Sequence, residues 1–216
     1  MARFFVLVFG LVMLSACAHE VRIGQAPALG VQGSYEGKVP GTFALLVHTA
    51  GARGVARMQG LNCSAWNYEM DFADSFKASV RRTFEPLLGG VVMVNVPVSA
   101  EDMKRLGYRG VITVTPGSFV GLIRAEPGLF ISMTYADVRF SAEIVVEGPE
   151  GRLVGNRANG NGTSQSNSGF VCEGGATSLG LAAEKATSQL LRELAESVVN
   201  EPRLREPAET APAPAS

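Results

Sequence analysis

The 216-residue chain carries 19 basic and 20 acidic residues, a formal net charge of −1, and 46% of its residues are apolar. A balance this close to neutral lacks the basic footprint of a nucleic-acid binder. The apolar share suits one folded core, and beyond residue 16 no apolar run reaches the length of a membrane-crossing helix.

The amino terminus has the layout of a secretory signal peptide. Arg3 precedes an apolar run over residues 4–13, too short to span a bilayer, and Ser15 and Ala16 supply the small residues of a cleavage site. Residues 1–16 are therefore expected to be removed. The stretch Leu14-Ser15-Ala16-Cys17 resembles the lipobox of bacterial lipoproteins, in which the cysteine thiol takes a diacylglycerol before cleavage. That resemblance implies lipidation at Cys17, with palmitate-type acyl chains, and a membrane anchor of lipid instead of a helix. Ala18, not aspartate, follows the cysteine, which in those lipoproteins points to the periplasmic face of the outer membrane.

With Cys17 lipidated, Cys63 and Cys172 remain as an even pair in an oxidising compartment, so a disulfide between them is expected. Closing so long a loop constrains the unfolded chain by roughly 4 to 5 kcal/mol in the loop-entropy model. The other reading is two separately buried thiols.

Residues 17–40 mix Gly, Pro, Ala and isolated polar residues without a sustained period and read as a tether, with one short strand at 21–23. A folded domain is expected over 41–200. It opens with a buried strand at 43–47, followed by an exposed glycine-containing loop to residue 61 and an extended segment at 63–68. Asp71 is placed to cap a helix whose apolar face is Phe72, Phe76, Val80, Phe84 and Leu87, ended by Pro86 and Gly89-Gly90. A strand at 91–98, a helical turn at 100–106 and a strand at 108–115 follow, the last stopped by Pro116-Gly117. Antiparallel strands are expected at 119–124, 129–147 and 152–158, the last two joined by a turn at Gly148-Pro149-Glu150-Gly151. The polar, glycine-rich stretch 159–169 reads as a mobile loop or frayed edge strand. A helix at 177–199 carries Leu179, Ala182, Ala183, Ala186, Leu190, Leu194 and Val198 on one face, and the Pro- and Ala-rich residues 201–216 read as a disordered tail. The fold class is thus α/β (α+β): a single domain with a mixed, largely antiparallel sheet and two main helices packed on one face.

No catalytic constellation emerges. Cys63 next to Trp66, with His48 as base, superficially resembles a thiol nucleophile, but the flanking glycines of that signature are missing. His19 and His48 lack ligand spacing with the cysteines, so neither a metal nor another cofactor is expected. Asn159-Gly160-Asn161-Gly162 would need a helix directly behind it to cradle an anion, and the next one starts roughly fifteen residues on. Asn62-Cys63-Ser64 and Asn161-Gly162-Thr163 match the glycosylation sequon, a modification not expected of a lipobox protein. Trp66 and Tyr68 alternate in an extended segment and are candidate ligand or partner contacts, against the simpler reading that both are core.

Strand, helix, strand, several antiparallel strands and a carboxy-terminal Ala/Leu helix behind a lipobox resemble the amino-terminal domain of TolB and the periplasmic domain of the curli-secretion lipoprotein and its exopolysaccharide-export relatives. The resemblance spans residues 43–200. It implies a non-enzymatic scaffold or accessory subunit of an envelope assembly or export system, with protein partners and commonly a homo-oligomer. No transmembrane hairpin is present for a pore-forming version. The alternative is a periplasmic binder of a glycan, lipid or small molecule beside Trp66 and Tyr68.

Overall fold

The computed structural model describes residues 18–59, 64, 66–127, 132–169 and 172–206. The expected signal-peptide stretch, Cys17, Cys63 and residues 207–216 of the expected tail lie outside the described residues. The elements in chain order are β1 (Ala18–Val21), β2 (Val39–Val47), β3 (Arg53–Gln59), β4 (Asn67–Asp71), α1 (Ala73–Phe84), β5 (Leu88–Val94), α2 (Ala100–Leu106), β6 (Tyr108–Glu126), β7 (Met133–Gly148), β8 (Gly151–Asn167) and α3 (Gly174–Val199), then a short 3-10 turn at Pro202–Leu204.

All eight strands belong to one mixed sheet. Strands β6, β7 and β8 form a long antiparallel meander. Along the other edge of β6 run two shorter strands, both parallel to it: β2 beside its first half and β3 beside its second. Strand β5 lies outside β2, in parallel. Strand β4 lies outside β3, antiparallel, and β1 closes that side parallel to β4. The sheet is the expected mixed, largely antiparallel one, and α1 and α3 share one core on one of its faces. The small helix α2 covers part of the other face, where Met103 packs on Ala44, Leu46 and Val111. Ser99 caps α2, its hydroxyl accepting from the Asp102 N–H at 3.1 Å.

Aromatic packing seats α1. Phe72 and Phe76 on the helix meet Phe140 of β7, each with ring centroids 5.3 Å apart, and Phe119 of β6 lies 4.8 Å from Phe72. Asp71 is not the cap residue expected of it. Phe72 holds that position without a side-chain bond, while Asp71 accepts from the Ala73 N–H at 3.3 Å and pairs with Arg53 at 3.0 Å.

Pro116-Gly117 does not stop a strand. The chain passes through it with a register shift between Pro116 and Phe119, a bulge at which proline costs no ladder bond. The Ser141 hydroxyl of β7 repairs the gap by accepting from the Ser118 N–H at 2.8 Å. The stretch expected as a loop at 51–61 contains β3, whose Ala56 and Met58 turn into the core while Val55 and Arg57 face outward.

Of the two readings of 159–169, a mobile loop or an edge strand, the strand holds: residues 159–167 are the second half of β8, at the sheet edge, and pair with β7 throughout. Alternation explains it. Gly160 and Gly162 face α3, and Asn159 and Asn161, which alternate with them, face out. A Cβ on Gly160 would stand 1.8 Å from the Ala186 carbonyl oxygen, and one on Gly162 would stand 2.0 Å from that of Ala182. The helix rests on bare backbone. Its side chains also guard the outer edge of β8: Gln189 accepts from the Asn161 N–H at 3.2 Å, and Lys185 donates to the Thr163 carbonyl at 2.9 Å.

Residues 22–38, expected as a tether, instead lie along α1 and α3. The Ala26 N–H donates to the buried Ser79 hydroxyl at 2.8 Å and the Ala28 N–H to that of Thr83 at 2.9 Å. From α3, Glu184 accepts from the Gly24 N–H and Glu196 from the Gln32 N–H, and Asn200 just beyond it accepts from the Ser34 N–H. Backbone-to-side-chain bonds of this kind leave no hydrophobic period to read.

Two outcomes are expected in thermal or denaturant unfolding. Gly160→Ala or Gly162→Ala should cost about 3 kcal/mol, because the helix must move to admit the methyl, whereas Asn161→Ala should change stability by less than about 0.5 kcal/mol. Ser79→Ala, which strands the buried Ala26 N–H, should cost about 1 to 3 kcal/mol.

Candidate functional site

Of the sequence-predicted site residues, Trp66, Tyr68 and Cys172 are among the described ones, and they lie close to the place where β1 meets β4. Ala18 pairs with Asn67 and Val21 with Met70. This places the His19 ring over Trp66, with centroids 4.3 Å apart and planes 27° from parallel, and 5.5 Å from the ring of Tyr68. Trp66 is half-buried against the core.

Tyr68 is fully buried, so it has no face to offer a ligand, and its candidacy as a contact is corrected. Its hydroxyl donates to the Cys172 carbonyl at 2.9 Å. Its ring lies against α3 at Gly175, where a Cβ would come within 2.6 Å. Burial, and then the negative charge of Glu173, push the Tyr68 hydroxyl up to about 12.

Cys172 takes the left-handed backbone conformation, φ 66°, rare for a side-chain-bearing residue. Its carbonyl also accepts from the Gly175 N–H at 3.1 Å, so it serves both the first turn of α3 and the tyrosine hydroxyl. Ser166 of β8 donates to the Gly174 carbonyl at 2.5 Å, tying the helix start to the strand end. The constellation acts as a clamp joining β4, β8 and α3.

His48 is exposed at the end of β2, where its N–H donates to Val114 at 2.9 Å. Gln59, which leads into the segment containing Cys63, pairs with Arg124. Ten residues of strand between those levels amount to roughly 30 Å along β6. His48 is not placed beside either end of the Cys63 segment.

The concavities elsewhere are open to solvent. One of about 630 Å³ on the outer sheet face is lined by Val55, Arg57, Asn67, Glu69 and Leu122 among others, and Arg57 donates to Asn67 across it at 3.2 Å. Another, of about 320 Å³, lies where Arg205 stacks 4.7 Å over the Tyr35 ring. The composition of the sequence carries no signal for either. Among the described residues no group of three His, Cys, Asp or Glu side chains is placed to hold a metal ion, and no helix is long and apolar enough to cross a membrane.

No protein-family model matches the chain, and no curated protein matches it. Solved structures similar at low level include the following three. A Xanthomonas campestris protein of the DUF330 family is 12% identical, with a TM-score of 0.43 over 84% of this chain and 95% of that one. A hypothetical protein of Chlamydia trachomatis is 10% identical, with a TM-score of 0.38 over 72% and 96%. A protein of Helicobacter pylori described as a neuraminyllactose-binding hemagglutinin homolog is 9% identical, with a TM-score of 0.39 over 82% and 91%. With every TM-score below 0.5, these likenesses assign neither a family nor an activity.

Tyr68 yields a spectroscopic test. Its protonated form is favoured in the fold, so its contribution to stability is complete below pH 10 and is lost as the pH climbs towards 12. In an ultraviolet titration of tyrosinate, one step should appear near pH 12, and Tyr68→Phe should remove that step.

Proposed function

We propose that the chain is a lipoprotein held by Cys17 at the periplasmic face of the outer membrane, where it serves an envelope assembly or export system as a non-enzymatic accessory subunit. The observation that carries this reading is the lipobox at Leu14 to Cys17, joined directly to a folded domain: β1 begins at Ala18. The proposed Cys63–Cys172 disulfide belongs to the same reading, since it needs the oxidising side of the membrane.

An accessory subunit works through its surface. The outer sheet face carries Val55, Val120 and Leu122 at 63%, 48% and 45% exposure, and Val55 and Leu122 line the same open depression. Exposed apolar side chains that share one depression are the kind of surface partners use.

Cys17→Ser should release the protein from the membrane fraction into the soluble one, and blocking the lipoprotein signal peptidase should leave a longer precursor. A photo-crosslinking amino acid at Leu122 in cells should yield a discrete species containing a second envelope protein or a second copy of this chain. Adducts confined to glycan or small molecules, from a chain still anchored in the membrane, would instead support the binder reading.

A further inference from the structure

We propose that the domain lies directly on the bilayer holding its anchor, with the sheet end at which β1 starts against the lipid headgroups and the β7–β8 turn pointing away. The proposal rests on the lipidation of Cys17 put forward above and commits to one occupant of that end, the lipid surface.

Slack decides the matter. A free tether over residues 17–40 would reach about 80 Å when extended. Ala18 is already in register with Asn67, so Cys17 is one peptide unit, about 3.8 Å between Cα atoms, from the folded sheet. Strand β1 is also held too firmly to pay out. Val21 is 2% exposed, and the Arg22 carbonyl oxygen is so close to α3 that a Cβ on Gly180 would stand 2.4 Å from it. The residues behind it are pinned in turn at Gly24, Ala26 and Ala28.

Strand register identifies the rest of the face. Ala18 pairs with Asn67, Asn67 with Arg57, Gln59 with Arg124, Glu126 with Met133 and Met133 with Asn167. All of these stand at one end of the sheet. Both signs of charge are present there, Arg57 and Arg124 with Glu126 and Glu173, so the apposition follows from the anchor and is insensitive to salt. The turn after β7 lies at the opposite end, roughly 50 Å along the strand, and there the Glu150 side chain is 86% exposed. The chain also departs there towards residues 207–216, since Arg109, next to the start of β6, donates to the Glu206 carbonyl.

The test uses the lipidated full chain in phosphatidylethanolamine/phosphatidylglycerol vesicles containing a headgroup-linked quencher, with a fluorescent amino acid at Gln165 or at Glu150. Quenching at Gln165 should exceed that at Glu150 at least threefold, equally at low and high salt. A spacer of twenty Gly/Ser residues inserted between Cys17 and Ala18 should abolish the difference. Equal quenching at the two positions, in a chain that floats with the vesicles, overturns the inference alone. A chain that stays out of the vesicles, or a Cys17→Ser variant that floats as well as the native one, overturns the anchor and the inference with it.

Discussion

Helix α3 lies against β8 so closely that only glycine fits beneath it, and the rest of the domain depends on that contact. Gly160 and Gly162 leave the carbonyl groups of Ala182 and Ala186 room to rest on bare strand backbone. Bringing a 26-residue helix this near the sheet lets Leu179, Leu190 and Leu194 reach the core, all fully buried. The helix then forms one wall of the groove in which residues 22–38 lie, with α1 as the other. Its amino-terminal turn holds Tyr68. An added methyl under α3 would therefore act on the core, on the amino-terminal segment and on the aromatic clamp together.

The two ends of the molecule do different things as a result. At one end the β1–β4 pair, the His19–Trp66 stack, Tyr68 and Cys172 fasten the start of the chain to the helix and sheet. At the other, the start of β6 receives the carboxy-terminal residues after the 3-10 turn. Between them, among the described residues, α2 covers part of the outer sheet face. The anchoring at one end proposed above relies on this polarity. Gln189 and Lys185 guard the outer edge of β8 against strand-to-strand pairing with another chain.

How much of this was legible depends on which period each element carries. Helix α1 was readable because four phenylalanine and valine positions recur at helical spacing, and α3 because its alanines and leucines do the same. Strand β3 was hidden by its glycine and arginines, although Ala56 and Met58 alternate inward. In the second half of β8 the buried inward positions are Gly160 and Gly162, so the apolar half of the alternation is absent there and the stretch reads as a loop or a frayed edge. Pro116 looked like an end because a bulge that accommodates proline is a property of the partner strand, here Ser141. Residues 22–38 carry no pattern of their own, since Ser79 and Thr83, more than fifty positions away, supply their acceptors. At the site, the alternation of Trp66 and Tyr68 was visible. The simpler reading of Tyr68 as core holds, whereas the partner of its hydroxyl was not visible, because it is a backbone carbonyl at Cys172.

The central claim is that the amino-terminal segment is part of the domain and not a spacer. Amide hydrogen exchange on the soluble Cys17→Ser chain tests it most directly. The account predicts that the Ala26 and Ala28 amides exchange as slowly as those in the middle of α1, because their acceptors are on that helix and the groove must open for exchange to occur. Exchange at the rate of an unstructured peptide at both positions, with α1 and the sheet still protected, would contradict it.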